Sequence, residues 1–350
     1  MVPRQPAWFL VCPSQHPSMA HPCASSSSRR PCLEPSLLDI QRSPFYCVAS
    51  LDNLTGHARR RRKYPALAIV PCPTFLLGPT PSFPVLRPSA ALRLRAFALK
   101  RPLTGGSRGI GLACLRLLLD SPFHANLLSL SRSFPSELRQ LSQTYPDRLK
   151  VVIGDVKNSK DIQTAVETAI KTFGAIDGLV LNAGLFKLER IIESNSLEYW
   201  KQVFDVNFFS LVTILNHALN HLRNSNGRVV FISSGAAVSG TAAWGSYNAS
   251  KAAMNSLCKT LATEEPTITS IALRPGTVDT QMQTELRAKG KDKMDAHSYK
   301  RFADLFESSN LLPVEVPAQV IANLVTKADK TLTGQFLSWD SNELKNYRGS

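Results

Sequence analysis

Acidic residues are scarce in the first hundred positions of this 350-residue chain, where only Glu34, Asp39 and Asp52 stand against 13 lysines and arginines. The same stretch holds 15 of the 23 prolines and five of the seven cysteines. It lacks any sustained apolar period of 3.6 or 2.0 residues, and its prolines interrupt helices and central strands. The expectation is a disordered or loosely coiled leader over residues 1–95, followed by one folded domain over residues 96–350. Long hydrophobic runs are missing too. The most apolar stretch, Ala66 to Leu77, is too short to cross a bilayer and contains Pro71 and Pro73; the six apolar residues from Ala7 to Cys12 make a poor secretory signal. Paired cysteine spacing is absent: Cys12, Cys23, Cys32, Cys47 and Cys72 form no CxxC pattern, so His16 and His21 beside them are not read as metal ligands. Cys114 and Cys258 fall inside helical patterns and read as small buried hydrophobes. These absences point to metal-free, intracellular chemistry in the cytoplasm with no membrane partner.

The excess of positive charge is local. Residues 1–100 carry a net charge of +10, whereas the other 250 residues hold 28 basic and 23 acidic side chains. The basic balance therefore gives the folded part no special claim on nucleic acid. The run Arg59 to Lys63 reads as a solvated cluster, with a nuclear or nucleic-acid-binding patch as the alternative. The leader is also Arg-rich, Ser-rich and poor in acid, which leaves mitochondrial targeting open.

From Leu103 onward, short β-branched runs alternate with amphipathic segments, the pattern of βαβ units around a parallel sheet. The spacing predicts strands at Asn126–Ser131, Leu149–Ile153, Gly178–Leu181, Arg228–Ser233, Ser270–Leu273 and Gln335–Trp339. It predicts helices at Gly109–Leu119, Ser159–Phe173, Ser196–Leu222, Tyr247–Ala262 and Val314–Lys327. The fold class expected is α/β, a single doubly wound Rossmann-type domain. In such sheets ligands bind beyond the carboxyl ends of the strands, and each motif of interest falls at such an end or on the helix after it.

Thr104-Gly105-Gly106-Ser107-Arg108-Gly109-Ile110-Gly111 leads into a helix, so that glycines admit close backbone approach and helix N–H groups face a pyrophosphate. Tyr247 and Lys251 are four residues apart on another predicted helix, so phenol and ammonium share a face. A charged Lys251 is expected to favour the phenolate and move the Tyr247 pKa downward. Ser234 precedes this tyrosine by thirteen residues, and Asn182-Ala183-Gly184 follows a predicted strand.

Taken together, residues 103–340 resemble a short-chain dehydrogenase/reductase of the classical type, with the TGxxxGIG, NAG, Ser, YxxxK and PG motifs in that family's order. The resemblance implies a tetrad of Asn207, Ser234, Tyr247 and Lys251. Tyr247 would donate a proton to a carbonyl, Ser234 would hydrogen-bond the substrate oxygen, Lys251 would hold the nicotinamide ribose, and Asn207 would support a water-linked relay. It also places Asp155-Val156 against the adenine, Asn182, Ala183 and Gly184 beside the adenine ribose, and Pro275, Gly276, Val278 and Thr280 in the loop facing the carboxamide.

Cofactor choice follows from charge. Residues 126–135 contain no acid to engage an adenosine 2′-hydroxyl, while Arg108 and Arg132 can meet a 2′-phosphate. NADPH is the cofactor expected. A narrower resemblance, carried by Asp205 to Ser210, Ser233 to Ala236, Pro275 to Gln283 and Leu332 to Leu337, is to the benzil reductase (benzoin-forming) group near sepiapterin reductase. It implies small aromatic ketones and vicinal diketones as substrates. Trp244, Met282, Phe302 and Phe306 read as an apolar wall and mobile lid, with core or surface packing as the alternative for each. Homo-oligomer formation stays open.

One segment departs from the pattern. Phe97-Ala98-Leu99-Lys100-Arg101-Pro102-Leu103 stands where an apolar first strand belongs, and it reads as a poor central strand. Burying Lys100 or Arg101 without a partner costs several kcal/mol, to order of magnitude. The reading upstream of Leu103 is a segment foreign to the enzyme fold. The functional expectation is an NADPH-dependent carbonyl reductase; the alternative is a catalytically silent NADPH-binding sensor or interaction protein.

Overall fold

The computed structural model describes residues 99–191 and 197–349. The leader expected over residues 1–95, with its basic run, lies outside the described residues.

Seven parallel strands form one sheet in the order β3-β2-β1-β4-β5-β6-β7. They are β1 (Lys100–Thr104), β2 (Asn126–Ser131), β3 (Leu149–Ile153), β4 (Gly178–Leu181), β5 (Arg228–Ile232), β6 (Thr269–Arg274) and β7 (Phe336–Ser338). The chain starts at the middle, winds outward to β3, returns to β4 and then continues to β7, the doubly wound topology expected. The change of direction between β1 and β4 opens the crevice that receives ligands. Most strands are covered on both faces, which is why β4 and β5 are apolar almost without alternation and even Ser129 and Ser131 of β2 are buried.

The helices are α1 (Gly109–Leu119), α2 (Ser136–Thr144), α3 (Ser159–Phe173), α4 (Leu197–Phe204), α5 (Ser210–Ser225), α6 (Gly245–Glu264), α7 (Gln281–Gly290), α8 (Ala296–Glu307) and α9 (Glu315–Lys327). One core joins α1 and α9 to one side of the sheet; a second joins α3, α5 and α6 to the other. Asn158 caps α3 by accepting from the Lys160 N–H, and Gly174 ends it in the left-handed conformation. Helix α2 was not foreseen, because only Leu138 and Leu141 mark its helical period in a nine-residue polar segment.

Two expectations need correction. The segment over Lys100–Pro102 is a central strand after all, in register with Asn126 to Leu128 of β2. Lys100 turns its N–H to the Asp177 carboxylate at 2.9 Å and its carbonyl to the Asp177 N–H at 2.8 Å. By the strand's period of two, the missing N–H of Pro102 faces the same neighbour. There the pairing between β1 and β4 is reduced to Leu103 opposite Val180. The second correction concerns the single helix expected over Ser196–Leu222. It is interrupted by a turn of π-helix at Asp205–Phe209, between α4 and α5.

Candidate active site

At the carboxyl ends of β1 and β4 two backbone segments are locked together. The Thr104 hydroxyl accepts from the N–H groups of Asn182 and Ala183 at 3.1 and 3.0 Å. The Asn182 amide donates to the carbonyls of Thr104 and Gly105, both at 3.1 Å. Gly105 adopts φ +71° to make this turn. A Cβ on Gly111 would lie 2.2 Å from the Gly105 carbonyl oxygen, so only glycine lets α1 start this close to the strand. Helix α1 has no acidic residue in its first turn and no side-chain cap, which leaves its N-terminal N–H groups directed at the crevice.

Beside this turn runs a cleft of about 890 Å³. Of the residues expected to hold the cofactor, Gly105, Ser107, Arg108, Gly109, Ile110, Arg132, Asp155, Val156, Asn182, Ala183, Gly184, Pro275, Gly276, Val278 and Thr280 all line it. Thr104 and Gly111 stand behind the wall and shape it. Tyr247, Lys251 and Ser234 line the same cleft. The loop after β6 is pinned there by a bridge between Val278 and Leu312 and by the Asp279 N–H on the Leu312 carbonyl at 2.8 Å.

The donor set fits a nicotinamide dinucleotide: a glycine turn and an uncapped helix N-terminus, with Arg108 and Arg132 on one wall. Sequence reasoning missed two further charges on that wall, Arg116 and Glu137, which pair with each other at 3.5 Å. Glu137 lies just beyond the acid-free window, so its place on the wall depends on where α2 runs.

The Tyr247 phenol is buried and hydrogen-bonded to Ser234. Lys251 extends beside it, with Nζ 5.7 Å from the phenol ring centre and donating to the Ile232 carbonyl at 2.6 Å. Burial pushes the phenol up to about 12, with the Ser234 hydrogen bond pulling it partly back. Burial likewise pushes Lys251 down to about 7. The downward shift expected for Tyr247 is thus reversed, because removing the phenol from water outweighs the hydrogen bond with Ser234.

Asn207 does not reach the cleft wall. It is fully buried on the π-helical turn, where its Oδ1 accepts from the Leu185 N–H at 2.7 Å and its Nδ2 donates to the Leu185 carbonyl and to Ser250 Oγ, at 2.9 and 3.0 Å. Ser250 Oγ in turn donates to the Tyr247 carbonyl at 2.9 Å. The amide therefore ties the strand-end loop to the tyrosine's helix. A Cβ on Gly184 would be 3.8 Å from Asn207 Oδ1 and 3.9 Å from Lys251 Nζ, so both groups converge behind that glycine. The π turn, frequent at functional sites, had no signal in the apolar spacing.

The apolar wall is built differently from the expectation. Trp244 and Met282 line the cleft, and Phe302 supports Trp244 from behind with ring centres 5.3 Å apart. Phe306 is half exposed and stacks under Arg287 instead. Phe186, unnoticed in the sequence, packs edge-on to both Trp244 and Tyr247, at 4.9 and 5.1 Å. It follows the Asn182-Ala183-Gly184 turn by two residues, and that adjacency was the available clue.

A family model described as short chain dehydrogenase matches residues 102–291. The chain belongs to the short-chain dehydrogenase family. It is 40% identical to an uncharacterized oxidoreductase of Schizosaccharomyces pombe over 68% of its own length and 95% of the relative's. It is 34% identical to a benzil reductase ((S)-benzoin forming) of Saccharomyces cerevisiae, over 71% and 98% of the two chains. The crystal structure of a short chain dehydrogenase/reductase from Saccharomyces cerevisiae superposes with a TM-score of 0.68 at 37% identity, covering 71% of this chain and 99% of that one. The chain is thus an oxidoreductase of a family that uses a nicotinamide cofactor. Among the described residues no cluster of histidine, cysteine and acidic side chains suits a metal ion, and no helix is long and apolar enough to cross a membrane.

Proposed function

We propose that the protein reduces a small aromatic ketone or vicinal diketone to an alcohol with NADPH. The observation that carries this reading is the buried phenol of Tyr247, bonded to Ser234 and flanked by Lys251, at the base of a cleft with an aromatic wall. When bound, the reduced nicotinamide supplies the hydride to the carbonyl carbon. Tyr247 then gives its proton to the carbonyl oxygen, while the Ser234 hydroxyl donates a hydrogen bond to the same oxygen as negative charge builds there. A phenol held protonated by burial is in the right state to donate. A charged Lys251 stabilises the phenolate left behind. Asn207 fixes the helix carrying both groups through Leu185 and Ser250.

Arg108 and Arg132 support NADPH over NADH, since guanidinium groups recognise phosphate with charge-assisted hydrogen bonds. The edge-on rings of Phe186 and Trp244 support an aryl substrate, because such contacts add favourable geometry to apolar burial. The name of the yeast benzil reductase supports the same class.

Incubation with benzil and either cofactor tests the proposal. Loss of nicotinamide absorbance with NADPH, slower loss with NADH and accumulation of benzoin are expected. Cofactor binding without turnover on a broad panel of ketones and diketones would instead favour a silent sensor.

A further inference from the structure

The glycine turn and the helix that closes the far side of the cleft touch one another. A Cβ on Gly109 would meet Thr280 Cγ2 at 3.4 Å. One residue along on each side, Arg108 Nη1 donates to Oε1 of Gln281, the first residue of α7. The Gln281 amide is itself oriented, because its Nε2 donates to Glu285 Oε1 at 3.1 Å, one helical turn on. With Nε2 committed to a carboxylate, Oε1 is the end left to face the guanidinium. Arg108, Gln281 and Glu285 all line the cleft. The other N–H groups of Arg108 have no protein partner among the described residues, so the guanidinium is held by one nitrogen with its remaining donors unused.

We propose that Gln281, oriented by Glu285, is a positioning residue that presents Arg108 to the adenosine 2′-phosphate and so couples cofactor choice to the docking of α7. This rests on the NADPH reading above. An arginine on the surface otherwise spreads over many rotamers, and fixing one of them before binding removes part of the ordering entropy from the encounter with phosphate. The same contact ties the phosphate side of the cleft to the helix that carries Met282 and Leu286 on the substrate side. Gln281 itself touches no reacting atom, and its effect belongs to binding of phosphorylated cofactor and not to the chemical step.

The test measures dissociation constants of NADP⁺, NAD⁺ and adenosine 2′,5′-bisphosphate by calorimetry, for the full chain and for Gln281→Ala, Glu285→Gln and Arg108→Ala. Gln281→Ala is expected to weaken NADP⁺ and the bisphosphate about fivefold and to leave NAD⁺ unchanged, the scale of one modest hydrogen bond. Glu285→Gln should give a smaller loss of the same kind, because a neutral amide still accepts from Gln281. In turnover, KM for NADPH should rise while kcat holds. Arg108→Ala separates the two levels of the argument. If it abolishes the preference for NADP⁺ while Gln281→Ala leaves that preference intact or increases it, the positioning role is overturned and the NADPH reading stands. If the unmodified protein shows no preference for NADP⁺, the NADPH reading falls, and this inference with it.

Discussion

Among the described residues two cations are buried, and they sit at opposite ends of the strands. Lys251 is 4% exposed and lies in the cleft at the carboxyl ends of the strands; Arg101 is 1% exposed and lies on β1 against α9, away from the cleft. Burial pushes both downward, Lys251 to about 7 and Arg101 to about 9. Their surroundings differ. The Lys251 ammonium has the Ile232 carbonyl and a cleft in which a ribose can offer further oxygens. The Arg101 guanidinium places only Nε, on the Val325 carbonyl at 3.0 Å, and its Nη1 and Nη2 are buried without partners. Asp177 attracts it while Arg228 opposes that attraction. In the proposed reaction the buried charge of Lys251 serves the chemistry, whereas a charge in the core with unpaired donors is a burden on stability.

Replacing each cation separates its role in the cleft from its role in the core. Lys251→Met is expected to lower kcat/KM by a factor of about 10²–10⁴, the usual scale of a lost acid–base partner, with the fold retained by circular dichroism. Arg101→Leu should leave kcat unchanged and raise the unfolding free energy by about 1–4 kcal/mol, measured by urea titration, since an apolar side chain removes the unpaired donors. An Arg101 variant with lower stability would show that the guanidinium finds compensation at this position.

The pH dependence sharpens the same contrast. Both groups bind protons less readily when folded than when unfolded, so the unfolded chain holds more protons between the lowered value and the ordinary one, and stability rises with pH across that window. For Lys251 the rise begins near pH 7, and for Arg101 near pH 9. The melting temperature should therefore climb less between pH 7 and 9 in Lys251→Met than in the unmodified protein, whereas Arg101→Leu should flatten only the part above pH 9. Equal slopes in all three proteins would contradict the burial account.

The legibility of this fold divides along similar lines. Strands β2, β3 and β4 and helices α1 and α3 were bounded correctly from sequence, because each repeats its apolar residues at one period and is stopped by a cap or a turn residue. Strand β1 was read from sequence as a poor central strand, foreign to the fold. Its Lys100-Arg101-Pro102 violates both hydrophobic pattern and donor supply, and only the neighbouring strands and Asp177 accommodate it. Helices α7 and α8 were not foreseen, although Tyr299, Phe302 and Phe306 stand at helical spacing; they form one wall of the cleft through Met282 and Leu286 and support Trp244 through Phe302. Ser234, Tyr247 and Lys251 were legible as a set because their types and spacing are constrained by the chemistry. The partners that orient them were hidden, because Leu185 and Ile232 contribute only backbone carbonyls and N–H groups, which no side-chain pattern reports.

In the proposed reaction the Tyr247 phenol gives its proton to the carbonyl oxygen. Tyr247→Phe keeps the ring that packs against Phe186 and Trp244 while deleting the hydroxyl. Single-turnover reduction of benzil by the preformed NADPH complex of this variant should be slower by at least about 10²-fold, with the dissociation constant for NADPH unchanged. A variant that binds the cofactor equally well and reduces benzil at the rate of the unmodified protein would contradict the account.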